Sequence, residues 1–243
     1  MAHSIDYSQI DYSQWTRRQA AFRAFILFIL RLLTRIQVEG EENIPTTGAF
    51  VLAPNHIHMF DIPVIFGYLS RRTVIFAADK WQNTPFFGWL LSSFGDAIYV
   101  SRGIPDRKAL AQAQEVLTAG GVLGLAPEGT RSRTGGLQQG RTGVVYLANR
   151  GNAPILPVVA FGQEKAFGCW LRLRKVPIYV RIGKPIHLPT EKLRAPGMDA
   201  YTDDLMMTLA RMLPAQYRGV YADRFAGEGE WNGCGWNKLG GFG

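Results

Sequence analysis

From Ala49 onward the chain alternates short runs of consecutive apolar residues with stretches in which apolar residues recur every three or four positions. The runs Ala49–Ala53, Thr73–Ala78, Ala97–Val100, Val122–Ala126, Pro154–Phe161 and Val176–Ile182 predict β-strands. Between them the spacing predicts helices from Asp61 to Leu69, Pro105 to Ala119, Gly140 to Arg150 and Asp199 to Leu213. Gly120, Gly121 and Gly151 stand where helix C-termini need them, and Pro63 falls in a first turn, where its missing N–H costs little. Strands and helices in this order predict an α/β fold, a mostly parallel sheet flanked by helices. Sites in such sheets lie beyond the carboxyl ends of the strands.

Ahead of that region the pattern changes. Residues 1–16 read as a loose polar arm in which Ile-Asp-Tyr-Ser-Gln occurs twice. Residues 17–36 read as an N-terminal amphipathic helix: Arg17, Arg23, Arg31 and Arg35 share one side of a helical wheel, and Phe22, Phe25, Phe28, Ile29 and Leu32 cover the opposite arc. That distribution suits a helix lying in the headgroups of an anionic leaflet, and equally one packed on the main domain. At the other end, residues 226–243 are rich in glycine without periodicity and predict a flexible tail. The expected organisation is therefore an arm and membrane-associating helix over 1–38, a main domain over 39–225 and a tail over 226–243.

Composition adds a sign to the partners. Among 243 residues there are 27 Lys and Arg against 19 Asp and Glu, a formal charge of +8. The partner is expected to be anionic: a membrane surface, a phosphorylated ligand, an acidic protein or nucleic acid. Residues 165–184 carry six Lys or Arg and no acid, which suits a solvated basic edge, anionic lipid or an acidic carrier. Two cysteines, Cys169 and Cys234, cannot make a disulfide framework and fit a reducing compartment. No secretory signal is visible, and no stretch reaches the roughly eighteen apolar residues of a spanning helix.

The chemistry concentrates where the first apolar run stops. Ala-Pro-Asn-His-Ile-His-Met-Phe-Asp, residues 53–61, delivers His56 and Asp61 in quick succession. On one continuous helix these two would point roughly 140° apart. They meet only if His56 lies in the turn after a strand and Asp61 begins the next helix as its N-cap. A carboxylate there takes the hydrogen bond of one imidazole nitrogen and leaves the other basic, which makes a general-base dyad. Alternatively, Asp61 is only a cap and His56 a satisfied loop histidine.

After the strand Val122–Ala126 comes a second group, Pro127-Glu128-Gly129-Thr130-Arg131-Ser132. Gly129 permits close approach of backbone N–H groups, Thr130 and Ser132 offer hydroxyls, and Arg131 offers a planar cationic fork: the parts of a phosphate cradle.

With both groups in this order, the sequence resembles the glycerolipid acyltransferases, especially the bacterial lysophosphatidic acid acyltransferases, over roughly residues 40–190. Asn55-His56 through Asp61 matches that family's His-x4-Asp block. Lys80, Pro85, Gly88 and Tyr99-Val100-Ser101-Arg102-Gly103 match its second block, Pro127 to Ser132 its third, and Ile155-Leu156-Pro157-Val158 its fourth. The resemblance implies His56 as general base and Asp61 as its orienting partner. It implies that Lys80, Arg102 and Arg131 hold the acceptor's phosphate, with Glu128, Gly129 and Thr130 shaping the same pocket. It also implies an acyl-CoA or acyl carrier protein co-substrate, no cofactor or metal, and work at the cytoplasmic face of the membrane. His58, Ala126 and Arg141 depart from the residues common in the family.

The inventory suits acyl transfer from a thioester to an alcohol; the resemblance implies the free hydroxyl of lysophosphatidic acid as acceptor, with glycerol 3-phosphate, another lysophospholipid or a glycolipid as alternatives. No Gly-x-Ser-x-Gly elbow is present, so direct attack without an acyl-enzyme is expected. Trp81, Phe86, Phe87, Trp89 and Phe94, close after Lys80, line an acyl groove, dip into the bilayer or pack the core. Two other classes compete. A zinc hydrolase built on His56-x-His58 lacks further histidines at ligand spacing, since only His3 and His187 remain. A non-catalytic basic module binding membrane or nucleic acid explains the charge and leaves the paired motifs unexplained; no nucleic-acid motif appears.

Overall fold

The computed structural model describes residues 5–79, 84, 88, 89, 96–100 and 106–225. Their centre is a seven-stranded sheet: β1 Thr34–Glu39, β2 Phe50–Pro54, β3 Thr73–Ala78, β4 Asp96–Val100, β5 Val122–Gly124, β6 Ile155–Phe161 and β7 Val176–Ile182. The spatial order is β1-β7-β6-β2-β5-β3-β4. Every neighbouring pair is parallel except β6 and β7, which run antiparallel. That single reversal divides the sheet. Strands β6, β2, β5, β3 and β4 end at one edge, and β7 and β1 begin at that same edge.

Helices cover both faces. Alternation along β2 turns Val51 and Ala53 to one layer and Phe50 and Leu52 to the other. The first layer is closed by α3 Arg107–Thr118, α4 Gly143–Arg150 and α6 Ala195–Met212, through residues such as Val116, Val145 and Met206. The second is closed by α2 Asp61–Tyr68 and α5 Ala166–Leu171, with α1 Arg17–Leu33 packed on α2. Burial of both strand faces explains why β6 is apolar throughout.

Two N-terminal expectations change. The helix predicted over 17–36 stops at Leu33, and Thr34 to Glu39 form an edge strand whose charged residues hid it from the periodicity. The arm is docked rather than loose. Tyr7 and Tyr12 are both buried; the Tyr7 hydroxyl donates to Ala97 O at 3.0 Å and the Tyr12 hydroxyl to Tyr7 O at 2.8 Å. Asp6 Oδ1 accepts from Ser8 N and Oγ, and Asp11 Oδ1 does the same for Ser13. The duplicated Asp-Tyr-Ser is thus one device used twice: a side-chain-closed turn that drives the intervening tyrosine inward.

On α1 the faces sort differently from the wheel. Arg23 turns toward the domain, donating to Gly67 O at 3.1 Å and to Leu69 O, with its guanidinium 4.6 Å from the Trp15 ring centroid. Leu27 and Leu30 approach Gly67, where a Cβ would stand 3.2 Å from Leu27 Cδ2. Phe25, Phe28 and Leu32 are left exposed, at 57, 63 and 57%. Among the described residues no helix is long and apolar enough to cross a membrane.

Candidate active site

The site starts from how β2 ends. Asn55 is fully buried and extends the pairing of β2 with β6 through its side chain: Oδ1 accepts from Ala160 N at 2.8 Å and Nδ2 donates to Ala160 O at 3.0 Å. With the strand closed off in this way, His56 leaves the sheet plane. Its backbone is held from both sides by the loop after β5. His56 N donates to Glu128 Oε1 at 2.8 Å, and Ser132 N donates to His56 O at 2.7 Å. The two motif loops, some seventy residues apart, are therefore bonded to each other directly.

Asp61 is the first residue of α2 rather than its cap; Phe60 occupies the cap position. The carboxylate turns back over the preceding loop. Its Oδ2 lies 2.8 Å from His56 Nδ1 and accepts from Ile57 N at 2.8 Å and His58 N at 2.9 Å. Oδ1 accepts from Gln163 Nε2 at 2.6 Å. Asp61 is 2% exposed, so four donors compensate a carboxylate withdrawn from water. The His56 ring keeps 28% of its side-chain surface open. With Nδ1 on Asp61, Nε2 is the nitrogen left for other chemistry.

Glu128 is buried and points inward. Besides His56 N it accepts from Gln138 N at 2.9 Å, and Gln138 Nε2 donates to Thr130 O at 3.1 Å. Burial raises the Glu128 carboxyl above its ordinary value, against the pull of the Gln138 and His56 amides. Its part in the loop is that of a clamp. Gly129 adopts φ +69, a left-handed conformation that glycine takes without strain. The Arg141 side chain lies over it, so that a Cβ at 129 would stand 3.0 Å from Arg141 Cδ. Thr130, Arg131, Arg133, Thr134 and Gln138 line an open pocket of about 490 Å³.

The structure thus brings together His56, Asp61, Glu128, Gly129, Thr130 and the backbone beside Arg131. Lys80 and Arg102 lie outside the described residues, as do Trp81, Phe86, Phe87 and Phe94. Trp89 packs edge-on against Phe22 of α1, with ring centroids 5.7 Å apart. His58 serves the turn: its amide reaches Asp61 and its ring tilts against Phe60 at 5.1 Å. Among the described residues no group of three or more His, Cys, Asp or Glu side chains converges as a metal site would require. Nothing in the sequence pattern singled out Gln163, Gln138 or Phe60. Each is uncharged, and none stands at a spacing that marks it.

The site is thus a strand-turn-helix histidine paired to a buried carboxylate and tied to a glycine-bearing loop, at the carboxyl edge of the parallel strands of an α/β protein. A family model described as Acyltransferase matches residues 35–160, and the chain belongs to that family. It is 32% identical over 136 residues to a 1-acyl-sn-glycerol-3-phosphate acyltransferase of Borreliella burgdorferi, covering 55% of this chain and 54% of that one. Against the enzyme of the same name from Cocos nucifera it is 32% identical over 159 residues, covering 62% and 49%. The chain thus spans about half the length of these two curated relatives. The crystal structure of the 1-acyl-sn-glycerophosphate acyltransferase PlsC from Thermotoga maritima shares the fold, with a TM-score of 0.63 and 23% identity over 80% of this chain and 79% of that one.

Proposed function

We propose that the chain transfers a fatty acyl group from a thioester, acyl-CoA or acyl-acyl carrier protein, to the free hydroxyl of lysophosphatidic acid, yielding phosphatidic acid. The observation that carries this reading is the His56–Asp61 contact of 2.8 Å, made beside the Gly129 loop and supported by the names of the relatives.

Asp61 Oδ2 holds the proton on His56 Nδ1, which leaves Nε2 unprotonated and aimed away from the carboxylate. Nε2 takes the proton of the acceptor hydroxyl as its oxygen attacks the thioester carbonyl. A new C–O bond forms, the tetrahedral intermediate collapses, the C–S bond breaks, and the imidazolium returns its proton to the departing thiolate. No acyl-enzyme and no cofactor enter this scheme. Arg131, with Lys80 and Arg102, supplies cationic donors for the acceptor's phosphate. The exposed Phe25, Phe28 and Leu32 of α1 lie in an anionic leaflet at the cytoplasmic face, so the acceptor is taken from the lipid layer.

The test is an acyl-transfer assay on a panel of acceptors, with both donor types and products identified by mass. Turnover requiring a phosphate-bearing lysolipid, and lost in His56→Ala, is the expected result. Unaltered turnover in His56→Ala, or a covalent acyl adduct trapped on the protein in a single turnover, overturns the mechanism.

A further inference from the structure

The turn between α5 and β7 exposes apolar side chains that folding does not account for. Leu171 is 88% exposed, Leu173 97% and Phe167 65%. The turn itself is firmly built. Arg174 N donates to Cys169 O at 2.9 Å and Leu173 N to Trp170 O at 2.9 Å, the paired bonds that close a helix C-terminus. In that closure the residue at position 173 must be left-handed, and glycine is the usual occupant. Here it is a leucine at φ +53. A branched side chain therefore sits at a backbone position that disfavours it, with almost none of its surface covered.

The surroundings say what covers it. Arg172, Arg174 and Lys175 are exposed beside these leucines. The acid preceding the helix, Glu164, is turned inward, accepting from Gly162 N and the Tyr217 hydroxyl. Because β7 and β1 both begin at the edge where β2 and β5 end, the turn and the end of α1 meet there. Trp170 Nε1 donates to Leu33 O at 3.3 Å, and Lys175 Nζ to Arg31 O at 2.8 Å. The exposed Leu32 and Phe28 of α1 lead up to the same place. On the inner side, Phe167 and Trp170 pack against Phe60 at 6.2 and 5.6 Å, and Phe60 caps the helix that carries Asp61.

We propose that residues 167–175 form a second membrane-inserting element, whose leucines and Phe167 enter the acyl region of an anionic leaflet while Arg172, Arg174 and Lys175 bind its headgroups. Apolar tips ringed by cations, with no exposed acid among them, match an anionic lipid surface. Two anchors at one edge fix the orientation of the molecule, where α1 alone would leave it free to roll about the helix axis. The loop bearing His56 is then held at the lipid surface through Phe60.

The experiment is vesicle sedimentation of the full chain, without substrate, on phosphatidylcholine vesicles with and without phosphatidylglycerol. Leu173→Gly is the key variant, since glycine suits the backbone there and thermal stability is expected to stay level or rise. Binding to the anionic vesicles should fall roughly tenfold, as expected for withdrawing one leucine from lipid. Leu171→Ala with Leu173→Gly should fall further, and Arg172→Gln with Arg174→Gln should weaken only the phosphatidylglycerol-dependent part. Vesicle binding unchanged in all three variants overturns the proposal. If in addition activity with acyl-acyl carrier protein alone declines, the turn docks the carrier; if the sedimentation coefficient in the absence of vesicles drops, it joins two copies. His56→Ala should bind vesicles as the wild type does, so failure of the anchor and failure of the acyltransferase reading are separable.

Discussion

Gln163 and Asp61 meet side chain to side chain across the sheet edge, the amide nitrogen 2.6 Å from Oδ1. Gln163 is fully buried, and its second N–H goes to Ala160 O at 3.1 Å, so its orientation is determined: flipped, it would set oxygen against carboxylate. Gln163→Leu leaves Oδ1 without its donor and should lower kcat about tenfold, on the order of 1–2 kcal/mol. Gln163→Glu is the sharper test. The new carboxyl, while protonated, can still donate to Asp61, but two carboxylates this close do not both ionise readily. Activity of that variant relative to wild type at the same pH should therefore fall as pH rises and the shared proton is lost. A kcat/KM profile like that of wild type would rule out this positioning role.

Asp61→Asn should harm both stability and turnover. One of its two atoms becomes a donor facing donors from His56, Ile57, His58 or Gln163. We expect a loss of about 2–4 kcal/mol in urea unfolding. His56→Ala, at a partly exposed ring, should lose less than about 1 kcal/mol while abolishing turnover to a similar degree.

Arg131→Ala should raise KM for a phosphate-bearing acceptor about tenfold, as expected for one charge-assisted contact. An acceptor without phosphate should not notice the change. Equal effects on both acceptors would remove Arg131 from phosphate recognition.

Glu128 gives the stability a pH signature. Burial lifts its carboxyl above the ordinary 4.5, so just above that pH the folded chain keeps a proton that the unfolded chain has released. Bound protons then exceed those of the unfolded state, and the contribution of Glu128 to stability falls as pH rises through the window. Glu128→Gln lacks this dependence. Its stability deficit relative to wild type should narrow as pH rises above the ordinary 4.5 in denaturant titrations.

The N-terminal turns make a separate prediction. Tyr7→Phe removes the bond to Ala97 O and should cost about 1 kcal/mol; Tyr7→Ala, which also empties a core position, should cost about 3–5 kcal/mol.

Much of this was legible in the sequence because the signals were local. Thr73–Ala78 is apolar after its threonine and Val176–Ile182 is apolar but for Arg181, and both strands fall on the residues expected. His56 and Asp61 meet as their spacing required, though Asp61 entered the helix instead of capping it, since its carboxylate is recruited by amides behind it. What escaped was long-range. Nothing in Thr34–Glu39, with its charged and exposed residues, announces a strand until β7 is there to pair with it. Gln163 shows no sequence signal because a buried amide is recognisable only by what it touches. Arg23 looked like part of a cationic stripe because a helical wheel knows nothing of the Gly67 and Leu69 carbonyls waiting to receive it.

The pairing of β1 with β7 also sets a timetable. Glu39 and Arg181 meet across a separation of 142 residues, so the strand following α1 has no partner until most of the chain has been synthesised. During that interval α1 emerges with its phenylalanines uncovered and no sheet edge to hold its far end. Until then the edge of β1 stays unpaired, so this corner of the fold closes only once β7 has been made.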